Sequence, residues 1–240
     1  MTYFDSAYTL EELEKFINHR PKLTKLHIYD CRDVEYLPDS IGNFTSLREL
    51  EICDCYSLKE IPDSIGKLTN LEKLRIRGCY GGLSKLKKLP DSIEQLKALT
   101  HLTISETGIE SLPDKISNLD NLEYLEITMN GQLHQLPETI GNLKKLKNLS
   151  LEYGKFTSLP KCIGELKSLE FLNIRGNLLR DLPESIENLQ NLRYIDARDN
   201  MLESLPDSIC DLKLLEDIDI ENNPKWNWNY IPKHILKLLE

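Results

Sequence analysis

Much of what an enzyme or a membrane protein needs is missing from these 240 residues. There is no glycine-rich phosphate loop, no His-Glu-x-x-His helix and no Gly-x-Ser-x-Gly turn, which excludes the commonest nucleotide, zinc-protease and serine-hydrolase arrangements. The five histidines (His19, His27, His101, His134, His234) are scattered. His101 shares an exposed strand face with Thr103 and Ser105, but no acidic residue is placed to orient it as a base. No catalytic site and no cofactor are therefore expected. No apolar run approaches the roughly 20 residues of a membrane helix, and the opening Met1–Ser6 has neither part of a secretory leader. The expected location is the cytoplasm, away from membranes, where the sequons Asn43-Phe-Thr45 and Asn148-Leu-Ser150 carry no meaning. Gly/Ser-rich linkers and low-complexity tracts are also absent, so a single domain over 1–240 is expected. Acidic residues outnumber basic ones, 39 to 30, which argues against a nucleic-acid partner.

What is present is a repeat. Residues 169–191 open with Leu169, Leu172, Ile174 and Asn177 and close with Leu179, Leu182-Pro183, Ile186 and Leu189. Equivalent opening leucines stand at Leu23, Leu47, Leu71, Leu99, Leu122, Leu146, Leu192 and Leu215, in steps of 23 to 28 residues. The Leu/Ile-Pro step recurs in phase from Pro38 to Pro206. Such a unit cannot bury its apolar face alone, so the units must stack. Alternation along a strand sends Leu172 and Ile174 inward and leaves Phe171, Asn173 and Arg175 outward. Pro183 fits the first position of a short helix on the opposite side. The residue after this proline is acidic in seven of eight units, with Lys161 the exception. A carboxylate there complements a helix N-terminus, which accounts for much of the acidic balance.

The same alternation sorts the exposed strand residues into columns. In the first three units these are Lys25, His27, Tyr29; Glu49, Glu51, Cys53; and Lys73, Arg75, Arg77. Opposite charges oppose each other there, as cross-strand pairing favours, and a solvated, self-paired face is expected. From the fifth unit the columns become Tyr124, Asn148, Phe171, Tyr194; then Glu126, Ser150, Asn173, Asp196; then Thr128, Glu152, Arg175, Arg198, with Tyr153 at the border. Adjacent strands lie about 4.8 Å apart, so Phe171 and Tyr194 should touch. Tyr, Trp and Arg dominate binding hot spots. The candidate protein-binding residues are therefore Tyr124, Glu152, Tyr153, Phe171, Asn173, Arg175, Tyr194, Asp196 and Arg198. The alternative is that the rings only cover the sheet.

Several positions break the pattern. Thr9 to Glu12 reads as a capping box, and Leu10, Leu13, Phe16 and Ile17 form one apolar face. Residues 1–22 are thus expected to be a helical cap, 23–222 the array and 223–240 a second cap, with Trp226, Trp228 and Tyr230 covering the last unit. Four extra residues around Tyr80–Leu83 mark a surface loop. The slot held by asparagine in later units is taken by Cys31, Cys55, Cys79 and Thr107, and at Gly154 it has no side chain at all. An asparagine at 154 is expected to stabilise the stack. Cys53 reads as exposed, so the Cys53-x-Cys55 pair points two ways and no histidine completes a zinc site; no metal is expected. Glu216, Asp217, Asp219 and Glu221 charge the open edge and discourage edge-to-edge pairing, so a monomer is expected.

The form LxxLxLxx(N/C)xxLxxLPxxIxxL over residues 23–222 resembles the leucine-rich repeat family. It is similar to the intracellular Ras-group repeat proteins, to the repeat regions of plant immune receptors and to repeat modules of bacterial proteins delivered into host cells. The resemblance implies an α/β right-handed horseshoe with nine parallel concave strands and short convex helices. It also implies a non-enzymatic module that binds a protein partner on its concave face. The alternative reading is a bacterial effector, delivered to a host cytosol, whose repeats position a catalytic region absent from this chain.

Overall fold

The computed structural model describes residues 2–4, 10–20, 22–78, 85–227 and 235. Nine repeat strands form one parallel sheet in chain order. They are β2 (Lys25–Tyr29), β3 (Glu49–Cys53), β4 (Lys73–Arg77), β5 (His101–Ser105), β6 (Tyr124–Thr128), β7 (Asn148–Ser150), β8 (Phe171–Asn173), β9 (Tyr194–Asp196) and β10 (Asp217–Asp219). Each pairs in register with the next, so that equivalent residues of successive units stand side by side. A further strand, β1 (Thr2–Phe4), pairs parallel with β2 and makes the sheet ten-stranded. The sequence reading placed residues 1–22 in a helical cap without it. That helix, α1 (Leu10–Asn18), is present, with Leu13 fully buried and Phe16 packed on the core. Thr9 of the expected capping box lies outside the described residues.

Opposite the sheet, eight five-residue 3₁₀ turns follow the prolines, from Asp39–Asn43 to Asp207–Asp211. The prolines stand one residue earlier than expected. Pro183, with φ −67° and ψ 144°, is still extended and caps the turn from outside. Its fixed φ and missing N–H suit a chain leaving an extended segment. The aliphatics of strands and turns form one continuous cluster from Leu13 to Ile235. Trp226 closes its far end, 8% exposed; Trp228 and Tyr230 lie outside the described residues, as does the Tyr80–Leu83 insertion.

At the end of each concave strand the chain must turn toward the 3₁₀ side. Asp30, Asp54, Glu106, Met129, Tyr153, Gly176, Asp199 and Asn222 all stand there with φ between 51° and 69°. This left-handed conformation costs roughly 1–2 kcal/mol for a residue other than glycine, and least for Asn and Asp. The next residue fills the buried slot. Asn200 donates through Nδ2 to the carbonyls of Ile174, Ala197 and Arg198, and its Oδ1 accepts the Leu179 N–H. Asn177 and Asn223 do the same one unit either way. Thr107 substitutes in part: its hydroxyl donates to Asn130 Oδ1 at 2.6 Å and accepts the Ile109 N–H at 3.4 Å.

Gly154 overturns the expectation that its slot is vacant. A Cβ there would lie 2.9 Å from two ring atoms of Phe156 and 2.9 Å from Asn177 Oδ1. Phe156, where other units have leucine, isoleucine or valine, is 1% exposed and fills the space. The glycine and the phenylalanine are a matched pair of volumes.

Candidate functional site

The exposed surface with the most varied chemistry is the concave sheet, and its two halves differ. Over β2 to β5 most of the charges are consumed by their neighbours, as the sequence reading expects for the first three units. Lys25 pairs with Glu49 at 2.8 Å, and Glu51 lies between His27 (2.8 Å) and Arg75 (3.1 Å). Arg77 reaches Glu106, itself only 8% exposed, at 3.2 Å. Cys53 is a correction: it is buried, not exposed. Its register partners are Tyr29 and Arg77, and a small side chain between two large ones is covered by them. Ser105 and Thr128 are buried on the same column. Burial, with Glu51 close by, pushes the Cys53 thiol up to about 12.

Next along the sheet, His101 and Tyr124 stack with ring centroids 4.3 Å apart and planes at 7°. The Thr100 hydroxyl lies 2.8 Å from His101 Nδ1. Burial, and then the nearby Lys73 cation, lower the His101 pKa, against a small opposing pull from Glu123. These residues, with His27, Glu51 and Arg75, line a hollow of about 450 Å³. The sequence reading took its β2 to β4 part as a self-paired face and named Tyr124 as a binding candidate, without joining His101 to it. The signal available was the placement of His101 beside Tyr124 in one column.

The second hollow, about 460 Å³, is lined by Glu126, Asn148, Glu152, Phe171, Asn173, Tyr194 and Asp196 among others. Phe171 and Tyr194 stack at 4.9 Å and 9°, and both remain exposed, at 41% and 36%. The Tyr194 hydroxyl donates to Glu216 at 2.5 Å, which raises the phenol pKa and lowers that of Glu216. Asn173 donates to Glu152 at 2.6 Å.

The two arginines are less free than alternation alone suggests. Arg175 binds Asp199 at 2.7 Å and lies over the Tyr153 ring at 5.5 Å. Arg198 binds Asp196 at 2.6 Å and Asp219 at 3.2 Å. Tyr153 lies across Gly176, where a Cβ would meet its ring at 2.4 Å. Of the nine candidate residues, Glu152, Phe171, Asn173, Tyr194 and Asp196 therefore share one hollow. Tyr124 lines the neighbouring one, and Tyr153, Arg175 and Arg198 form a paired rim. Among the described residues, no helix is long and apolar enough to cross a membrane.

The surroundings of this sheet have counterparts in known proteins. Residues 80–154 and 137–240, together about two thirds of the chain, match the model of the leucine-rich repeat region. A disease resistance protein of Arabidopsis thaliana is 35% identical over 74 residues, 30% of this chain and 8% of that protein. A leucine-rich repeat protein of Leptospira interrogans superposes with a TM-score of 0.82 and 32% identity, over 92% of this chain and 54% of the other. The leucine-rich repeat domain of the type III effector XopL superposes with a TM-score of 0.67 and 27% identity, over 88% and 72%. This chain thus spans a small part of the Arabidopsis relative and about half of the Leptospira protein. With its repeat spacing, its in-register parallel sheet and the matching model, the chain belongs to the leucine-rich repeat family.

Proposed function

We propose that this chain is a non-catalytic module, a single domain with caps at 1–22 and 223–240, that binds a protein partner on the concave sheet. The observation that carries this reading is the exposed Phe171–Tyr194 stack in a hollow of about 460 Å³. Large rings left in water on a rigid sheet are the residue types that anchor interfaces. Leucine-rich repeat domains are typically interaction scaffolds, and the apolar core of this chain leaves its polar chemistry on the surface.

The test is the Phe171→Ala/Tyr194→Ala variant. Its fold should survive, since an exposed aromatic pair contributes about 1 kcal/mol. A partner isolated by capture and then titrated calorimetrically should bind 30-fold to nearly 1000-fold more weakly, from roughly 2–4 kcal/mol of lost anchoring. Unchanged affinity with an unchanged melting temperature moves the site off this part of the sheet.

The likeness to the XopL repeat domain over 88% of this chain supports a second reading, the repeat module of a delivered effector. A translocation reporter fused to the gene product tests it: reporter activity inside host cells is expected, and its restriction to the producing cell sinks the idea.

A further inference from the structure

One concave column is an aromatic ladder with a rung missing. His101, Tyr124, Asn148, Phe171 and Tyr194 are consecutive register partners on β5 to β9. The first two rings stack at 4.3 Å and the last two at 4.9 Å; between the pairs stands Asn148, half-buried and short. Two strand spacings, about 9.6 Å, separate Tyr124 from Phe171. That distance accepts one more planar group at the separations the existing pairs already use. Both hollows of the face are lined by Glu126, Asn148 and Ser150, so they meet over this rung.

Charge selects what kind of plane enters. Glu126 is exposed and, among the described residues, accepts only the Thr128 hydroxyl, at 3.5 Å. Glu152, on the adjacent strand's end, accepts Asn173 and Ser150. Among the described residues neither carboxylate has a cationic partner, whereas Lys25, Glu49, Glu51, Arg75 and Arg77 of β2 to β4 are paired across the sheet. A neutral ring would leave both carboxylates unmatched, and a lysine offers a point charge with no plane. A guanidinium is planar, stacks on aromatic faces and donates in a fork to a carboxylate.

We propose that the gap over Asn148 seats an arginine side chain of the protein partner, its guanidinium between Tyr124 and Phe171 and hydrogen-bonded to Glu126. The inference rests on the concave-face reading and names what that face selects.

The test uses three blocked tripeptides, Ac-Gly-Arg-Gly-NH₂, Ac-Gly-Lys-Gly-NH₂ and Ac-Gly-Phe-Gly-NH₂, titrated into the full chain and followed by NMR. The arginine peptide should shift the Asn148 side-chain amide and the Tyr124 and Phe171 ring protons saturably. It should bind about 10-fold more tightly than the lysine peptide, whose ammonium can meet a ring face but neither stacks as a plane nor donates in a fork. Asn148→Trp, which supplies the missing rung from within, should abolish the Tyr124 and Phe171 ring shifts. Glu126→Gln, isosteric and exposed, should weaken the arginine peptide about 5-fold or more and leave the phenylalanine peptide unchanged. Equal binding of arginine and lysine peptides, or arginine binding that survives Asn148→Trp, overturns the proposal. A captured partner that depends on Phe171 and Tyr194 but ignores Asn148→Trp overturns the slot and leaves the concave reading standing. A partner indifferent to Phe171→Ala/Tyr194→Ala removes the reading itself.

Discussion

In β2 to β6 every strand runs five residues, and the slots behind β2, β3 and β5 hold Cys31, Cys55 and Thr107. In β7 to β10 the strands stop after three residues, and asparagine fills the slots behind β6 and β8 to β10. In β8 to β10 the shortening has a local cause. Asn173, Asp196 and Asp219 accept the backbone N–H two residues on, from Arg175, Arg198 and Glu221, at 3.0 to 3.1 Å. A side chain that captures a backbone donor takes it out of the strand ladder. The early strands carry His27, Glu51, Arg75, Thr103 and Glu126 at that position and continue. In the late half, side-chain bonds from the buried asparagines tie neighbouring turns together. In the early half, ion pairs across the exposed face do part of that task. The comparison teaches that one repeat can be held through its buried slot, across its exposed face, or by both, in proportions that change along the sheet.

The comparison is sharpest where a slot is emptied. Asn200→Ala should cost about 3 kcal/mol, because several buried backbone groups lose their partner at once. Cys55→Ala, which removes one thiol donating to the Cys53 carbonyl at 3.3 Å, should cost about 1 kcal/mol. Urea denaturation of both variants decides it. Equal losses would mean that the late half has no special dependence on its slots.

Gly154 is the next lever. Gly154→Asn should now destabilise the chain by about 1–3 kcal/mol through overpacking against Phe156 and Asn177. Adding Phe156→Leu should return most of that loss. A double-mutant cycle without coupling would show that the two residues are not a matched pair.

A smaller effect is expected in the left-handed column. Met129→Gly should gain about 1 kcal/mol, since Met129 holds φ at 55° where glycine has no steric penalty. The same change at Asp199 should gain less, because aspartate tolerates this region and Asp199 also binds Arg175. The order of the two denaturation midpoints checks the assignment of strain.

The smallest effect concerns pH. His101 has a folded pKa below its usual 6.5, from burial first and Lys73 second. Its neutral form is therefore favoured by folding. The stability it contributes is whole above about 6.5 and is lost as pH falls through the depressed folded value. An NMR titration should place the His101 midpoint below 6.5, and Lys73→Met should raise it toward that value. A midpoint at or above 6.5 in the parent would contradict the burial seen beside Tyr124.

Period and alternation determined a great deal without any coordinates. A step of 23 to 28 residues with leucines in phase dictates stacked units, and an in-register parallel sheet follows from stacking like on like. Residues two apart on a strand must share a face, so the columns carrying Phe171 and Tyr194 were legible, and so was their contact. The buried asparagine slots were legible too. What the sequence could not determine is set by contacts, most of them one unit away in space and more than twenty residues away along the chain. The burial of Cys53 depends on Tyr29 and Arg77 closing over it. The space at Gly154 depends on where the Phe156 ring settles. The pairing of Arg175 and Arg198 depends on Asp199 and Asp219 in the next unit, and the missing rung depends on two stacks of rings falling either side of Asn148. Alternation reports the direction of a side chain, whereas lateral packing at about 4.8 Å decides what that side chain meets.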